Sequence, residues 1–241
     1  MEHSPLSAFP GMEGVEYCPV AIGARVLGDR WSLLIVRELI VGATRFNEIH
    51  RALPGLSRSL LSSRLRTLAR DGLVVKGDSD GEEGYHLTEA GTALRPVLIA
   101  IGEWTVEWRF PMPEDSEKNS ALMLWRMYQG LDTAALPTTR TTLEIGFSDA
   151  DPDRGWLVLD GEESSLCSQP PGHDTDLTVR GTVRDWLEVW FGHVAFGDAV
   201  ARGRLKVTGP RELAVALPSW FRLSRFAGLV AERRSTDTRE I

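Results

Sequence analysis

Between Gly28 and Leu87, helix starts and helix stops follow one another so closely that the segment fits a stack of short helices closed by a hairpin and little else. Asp29 stands where it can cap a helix from Arg30 to about Val41, and Gly42 stops that helix. Thr44 can cap a third helix carrying Phe46, Ile49 and Leu53 inward, and Pro54-Gly55 makes the next turn. Ser57 caps a fourth helix that reaches about Asp71 and ends at Gly72. Upstream, Cys18-Pro19 opens a helix to about Leu27, with proline in the first turn where its missing N–H costs nothing. Downstream, Leu73 to Lys76 and Tyr85 to Leu87 are β-like runs around a long tip from Gly77 to Gly84. Thr88 then caps a helix to about Trp108, in which Pro96 predicts a kink or a break.

The fourth helix divides into two faces. Leu61, Leu65 and Leu68 form one apolar stripe, while Ser59, Ser62, Ser63 and Arg66 lie elsewhere on its surface, flanked by Arg58, Arg64 and Arg70. The net charge of the whole chain is -7, which argues against a polyanionic partner until the charge is located. From Arg25 to Lys76 there are ten basic residues against Asp29, Glu38, Glu48 and Asp71, a local net of +6. From Pro111 onward 15 basic residues face 20 acidic ones. A small polar helical face amid arginines suits the DNA major groove, about 12 Å wide, where one narrow strip of side chains reaches base edges while neighbouring cations neutralise phosphates. The expected DNA-binding set is Arg30, Arg45, Ser57, Arg58, Ser59, Ser62, Ser63, Arg64, Arg66 and Arg70, with Arg66 the first choice for a guanine edge. Arg30 and Arg45 read equally well as solvated surface charges.

The second half changes period. A linker is expected at residues 111–120, where Pro111-Met112-Pro113 precedes Glu114, Asp115, Glu117 and Lys118. A helix from about Asn119 to Gly130 precedes strands at Thr141 to Phe147, Gly155 to Leu159 and Leu177 to Val179. A helix at Val183 to Phe191, one at Asp198 to Ala201, a strand at Leu205 to Val207 and a helix from Pro210 to Leu217 follow. The expected fold class is α+β: an N-terminal winged helix-turn-helix domain over residues 1–110, an α+β domain over 121–230, and a flexible tail over 231–241.

Several stretches in order and spacing carry a resemblance to the HxlR-type family of winged-helix regulators. They are Cys18-Pro19-Val20, Gly28-Asp29-Arg30-Trp31, Arg45-Phe46-Asn47-Glu48-Ile49, Leu56-Ser57, Leu61-Ser62-Ser63-Arg64-Leu65, Asp71-Gly72-Leu73-Val74 and Tyr85-His86-Leu87-Thr88, with Gly91 and Trp104. The resemblance implies a homodimer joined through its N-terminal helix and the helix after the wing, with two recognition helices reading double-stranded DNA at a palindromic operator. Asp78, Asp80, Glu82 and Glu83 depart from it, since an acidic wing tip is poorly suited to phosphates. Asp176-Leu177-Thr178-Val179, Gly197-Asp198-Ala199 and the segment from Gly203 to Gly209 resemble the C-terminal portion of sterol-carrier-protein-like domains. That resemblance implies an apolar cavity for a hydrophobic effector, and Trp186, Trp190, Phe191, Phe196, Trp220 and Phe221 are its candidate lining. The same aromatics could equally form an ordinary core.

Cys18 at a helix N-terminus is a candidate redox sensor or a small residue at a dimer contact. Trp31, Trp104 and Trp108 read as core or dimer interface. Cys167 reads as a loop residue without a role. With two distant cysteines and histidines at positions 3, 50, 86, 173 and 193, no metal-ligand spacing and no disulfide framework are present. No cofactor is expected. No phosphate-cradling loop, nucleophile elbow or zinc-protease motif occurs, so an enzyme is not expected. The apolar runs are too short to span a bilayer, and the chain reads as cytoplasmic with no membrane partner. The alternative reading is a lipid- or small-molecule-binding protein that uses the winged helix mainly for dimerisation.

Overall fold

The computed structural model describes residues 17–79, 82–111, 118–161 and 163–237, with side chains described except at 78, 79, 82 and 234–237. The N-terminal leader, most of the expected linker, Asp80-Gly81 and the end of the tail lie outside the described residues. The chain divides into two compact units, Met1–Leu94 and Arg95–Ile241.

In the first unit the helices are α1 (Pro19–Leu27), α2 (Arg30–Ile40), α3 (Phe46–Ala52) and α4 (Arg58–Arg70), followed by the hairpin β1 (Val74–Ser79) and β2 (Glu82–Leu87) and the short α5 (Glu89–Thr92). Asp29 caps α2, its Oδ1 accepting from the Trp31 N–H at 2.9 Å. The Ser57 hydroxyl caps α4 by accepting from the Leu60 N–H at 3.2 Å. The start of α3 differs from the sequence reading. Its N-cap is Arg45, one residue beyond Thr44, and the orphan N–H groups of Thr44 and Arg45 are satisfied by Glu48 reaching back, at 3.1 and 3.0 Å. The Thr44 carbonyl instead accepts the Tyr85 N–H at 2.8 Å and so ties β2 to the entrance of α3. Ile35, Val36, Ile49, Leu61, Leu65 and Leu68 are the buried centre of this unit.

The expected long wing tip is corrected. The two strands are antiparallel and stay in register beyond Lys76↔Tyr85, through Gly77↔Gly84 and Asp78↔Glu83 to Ser79↔Glu82. Backbone pairing begun by Val74↔Leu87 continues outward whatever the polarity of the residues, because the ladder bonds are main-chain. Thr88 closes the base, donating its hydroxyl to the Gly72 carbonyl at 2.6 Å while accepting from the Gly91 N–H at 3.1 Å. Gly84 and Gly91 are places where only glycine fits. A Cβ would lie 2.7 Å from the Thr44 carbonyl oxygen in the first case and 2.1 Å from that of Leu73 in the second.

The break expected near Pro96 falls just before it: α5 stops at Thr92 and α6 (Arg95–Trp108) begins the second unit. There α7 (Ser120–Gln129) is capped by the Asn119 side chain, which accepts from the Leu122 N–H at 2.8 Å. The sheet comprises β3 (Thr141–Phe147), β4 (Arg154–Leu159), β5 (Ser165–Cys167), β6 (Leu177–Gly181) and β7 (Lys206–Thr208), in the order β5-β4-β3-β6-β7. Every pairing is antiparallel except β3 with β6, which is parallel. Between β6 and β7 lie α8 (Val183–Trp190) and α9 (Phe196–Ala201), and after β7 come α10 (Arg211–Ala216), a 3-10 turn (Leu217–Trp220) and α11 (Ala227–Asp237).

Leu143, Ile145, Leu157, Leu159, Leu177 and Val179 project from neighbouring strands into one buried cluster with Met127, Val183 and Trp220. Two expectations fail here. Cys167 is not in a loop but in the edge strand β5, paired with Trp156; three residues are too few to show an alternation in sequence. The expected flexible tail is helical as far as Asp237, because Ala227 and Val230 are buried and Arg233 bonds the Val106 carbonyl at 3.0 Å and Glu107 at 3.1 Å. Those partners lie far away in sequence.

A charged cluster fastens α8 to the segment before β7. Arg204 meets Asp185 and Glu188, each at 2.7 Å, and Asp185 also accepts the Thr182 N–H at 2.9 Å. Burial pushes the Asp185 carboxyl up, but the Thr182 hydrogen bonds and the Arg204 guanidinium outweigh it and hold it below its ordinary value of 3.8. A carboxyl lowered in the folded state stabilises above its unfolded pKa and loses that contribution as pH falls through the folded one. Arg204→Ala is therefore expected to destabilise the second unit by about 2 kcal/mol at pH 7, with the difference shrinking below about pH 4. Urea denaturation of both proteins between pH 7 and pH 3 reads this directly.

Candidate nucleic-acid interface

On α4 the residues Ser59, Ser62, Ser63, Arg66 and Arg70 recur at i, i+3, i+4, i+7 and i+11, which puts them on one side of the helix. All five are exposed, and Leu61, Leu65 and Leu68 face the opposite way into the core. Sequence thus fixes which side of α4 is available to a partner. The serines offer short hydroxyls that donate or accept, and the two arginines offer planar forks suited to base edges or phosphates.

The expected arginines do different things. Arg66 is exposed, and its Nε–H donates to the Ser62 carbonyl one turn back at a long 3.4 Å. Arg70 is exposed, with Asp71 at 3.6 Å. Arg64, by contrast, is half-buried and its Nη2 meets Asp29 Oδ2 at 2.7 Å, so the carboxylate that caps α2 also holds α4. Arg58 donates to Asn47 Oδ1 at 2.7 Å and lies 5.3 Å from the Phe46 ring centroid, bracing α3 against α4. Ser57 is spent as the cap, and its Oγ lies 3.2 Å from that of Ser59. Arg30 lies over the ring of neighbouring Trp31, 4.2 Å from its centroid, and Arg45 is exposed at the start of α3. The residues that sequence reading missed are Asn47, Phe46 and Asp29 as positioning groups. Asn47 and Phe46 lie one helix earlier, and nothing in their spacing marks them as partners of Arg58.

Glu83 is exposed on the wing, opposite Asp78 in the register. Cys18 is exposed at the start of α1 and is not joined in a disulfide.

In the second unit, four of the six aromatics expected around a cavity do meet. Trp186, Trp190, Phe196 and Phe221 line an apolar pocket of about 50 Å³ together with Met123 and Met127. Phe191 does not join them and packs edge-on against Phe110 at 5.1 Å. Trp220 is 1% exposed, in the core cluster rather than the pocket lining. Ligand pockets for drug-sized molecules run from about 300 Å³, so this space is far smaller than a lipid requires. No group of three or more His, Cys, Asp or Glu side chains among the described residues could hold a metal ion. No helix among them is long and apolar enough to cross a membrane.

A helix pair with an exposed polar face on its second member, followed by an antiparallel hairpin, defines a winged helix-turn-helix. The description HxlR-like helix-turn-helix matches residues 26–112. The chain is 43% identical over 105 residues to YvaP of Bacillus subtilis, an uncharacterised HTH-type transcriptional regulator, covering 42% of this chain and 96% of that protein. YybR of the same organism, described in the same words, is 34% identical over 99 residues, 40% of this chain and 77% of its own. A solved structure of the reduced form of the transcriptional regulator YodB from B. subtilis is 34% identical, covers 40% of this chain and 98% of that one, and has a TM-score of 0.35. The chain belongs to the HxlR-like helix-turn-helix family of transcription regulators.

Proposed function

We propose that the chain is a homodimeric regulator that recognises an operator in double-stranded DNA through α4, and that its second half receives an apolar effector. The observation that carries the first part is the exposed face of Ser59, Ser62, Ser63, Arg66 and Arg70, set opposite a buried leucine stripe within a segment of net charge +6. Arg66 reads a guanine edge and Arg70 a phosphate, while Arg64 and Arg58 orient the helix. With Glu83 exposed on the wing, α4 supplies most of the grip.

Fluorescence anisotropy with the DNA upstream of its own gene tests this. Binding should be tight at low salt and weaken steeply as salt rises, since phosphate contacts release counterions. No detectable binding at low salt would remove the proposal.

Two exposed apolar surfaces support a homodimer. Helix α1 buries none of its side chains and exposes Val20 and Ile22. Helix α6 exposes Val97, Ile101, Trp104 and Trp108, the last two 57% and 61%, at the i, i+4, i+7, i+11 spacing of a helix-pairing seam. We keep α6 with the DNA-binding half, as residues 1–110, because the family match runs to residue 112. Trp104→Glu is expected to weaken self-association by about thirtyfold, read by sedimentation velocity, and to weaken operator binding with it.

The reading of residues 121–230 as a sterol-carrier-like effector domain is supported by the α+β order and by the meeting of Trp186, Trp190, Phe196 and Phe221, although the space they enclose is too small for a lipid as it stands. Exposed Cys18 is a candidate for oxidative control.

A further inference from the structure

We infer that a cleft between the C-terminal end of α6, the turn joining α8 to α9 and helix α11 binds a planar aromatic monocarboxylate. It is a site separate from the aromatic pocket, and it does not rest on the reading of that pocket as an effector site.

The cleft holds about 510 Å³, and its lining residues all lie in the second compact unit. Pockets that take small organic ligands run from about 300 to 1,000 Å³, a range the aromatic pocket does not reach.

Its charge selects the ligand's. Arg109 and Arg233 line the cleft, and Glu107 is the one carboxylate among its described lining residues. Both guanidinium groups are placed by bonds to the lining itself. Arg233 Nη1 donates to the Val106 carbonyl at 3.0 Å and meets Glu107 at 3.1 Å, while Arg109 Nη1 donates to the Trp108 carbonyl at 2.8 Å. These bonds engage one nitrogen of each fork, and among the described residues the others are not engaged. Arg109 is exposed and the Arg233 side chain is 37% exposed, so the remaining N–H groups are within a ligand's reach. A planar fork with donors to spare is what carboxylate recognition requires. The same bonds cover α6 carbonyls whose partial negative charge would otherwise repel an anion. With His193 neutral, two cations against one carboxylate leave one positive charge, which a monoanion balances and a dianion exceeds.

The walls select a flat body. Phe110 and His193 both line the cleft, their rings 6° from parallel with centroids 6.3 Å apart, and Phe191 packs edge-on against Phe110 at 5.1 Å. Trp108, 61% exposed, adds a further aromatic surface. A ring laid against a wall already held in place gains stacking at little ordering cost. An alkyl acid would meet the same cations without that gain.

Isothermal titration of the full-length protein at about pH 7.5, where an aryl phosphate is a dianion, tests this with four probes of one size. They are naphthoate, its neutral isostere acetylnaphthalene, the saturated decalin carboxylate, and naphthyl phosphate. Naphthoate should bind about tenfold more tightly than the neutral ketone and about threefold more tightly than the saturated acid, with the phosphate weaker than naphthoate. Arg109→Gln removes an exposed guanidinium bonded only to the neighbouring carbonyl, so the fold should be kept. That variant should bind naphthoate about five- to tenfold more weakly and the ketone unchanged. In Phe110→Leu the preference for naphthoate over the saturated acid should vanish. Absence of naphthoate binding, equal binding of the ketone, tighter binding of the phosphate, or an Arg109→Gln protein that binds naphthoate as the parent does each overturns the inference. The readings of α4 and of the aromatic pocket stand or fall separately.

Discussion

Leu65→Ala is expected to lower the stability of the N-terminal unit by about 3 kcal/mol, a more than hundredfold change in its folding equilibrium. Leu65 is 1% exposed, between Leu61 and Leu68 one turn to either side, and α4 packs on both α2 and β1. Truncation there removes apolar burial and leaves a cavity that the surrounding core, buried Ile35 and Ile49 included, closes only in part. Urea denaturation should show a lower midpoint with the slope unchanged, and amide exchange should place the loss in α2, α4 and the hairpin rather than in the second unit's sheet. Leu65→Met, which keeps the volume, should cost under about 1.5 kcal/mol. A Leu65→Ala protein as stable as the parent would mean that α4 does not pack by its leucine stripe, and the orientation of its polar face would fall with it.

Arg66→Ala should leave stability within about 0.5 kcal/mol and weaken operator binding by about 5- to 100-fold, with discrimination relaxed at one base position. The separation follows from geometry: the side chain is exposed and, among the described residues, makes a long bond to its own helix. Arg70→Ala provides the contrast expected of a phosphate contact, weakening binding evenly across sequences and reducing the salt slope by about 1. Arg64→Ala is different again. It unties Asp29 from α4, so stability should fall along with affinity. Anisotropy titrations against the operator and single-base variants, beside denaturation curves, sort the three. If Arg66→Ala binds every sequence as the parent does, α4 reads DNA through other side chains.

Much of the first unit was legible in the sequence because its signals are local. Asp29 and Ser57 precede their helices and bond within three residues, and the stripe of Leu61, Leu65 and Leu68 repeats with the helical period. Local chemistry also misled. Thr44 has the right side chain for a cap, but α3 starts one residue later at Arg45: Glu48 reaches back to the N–H groups of Thr44 and Arg45, and the Thr44 carbonyl accepts from Tyr85. The wing extends to Ser79↔Glu82 because pairing is a property of two backbones in register, which polar side chains do not veto. In the second unit β5 was missed because three residues are too few to show a period, and α11 because it is held by Val106 and Glu107, far away in sequence.

The sequence by itself determined the run of short capped helices, the leucine stripe that decides which side of α4 stays outward, and the concentration of positive charge around it, since periodicity, capping and composition act over a few residues. Only the tertiary structure decided what each arginine is for. Arg64 and Arg66 are two residues apart in one helix, yet one is bound to Asp29 and the other is exposed, because the neighbour that claims a cation is set by how helices pack and not by its place in the chain. The same holds for the aromatics: packing put Trp186, Trp190, Phe196 and Phe221 around a pocket and sent Trp220 to the core and Phe191 to Phe110.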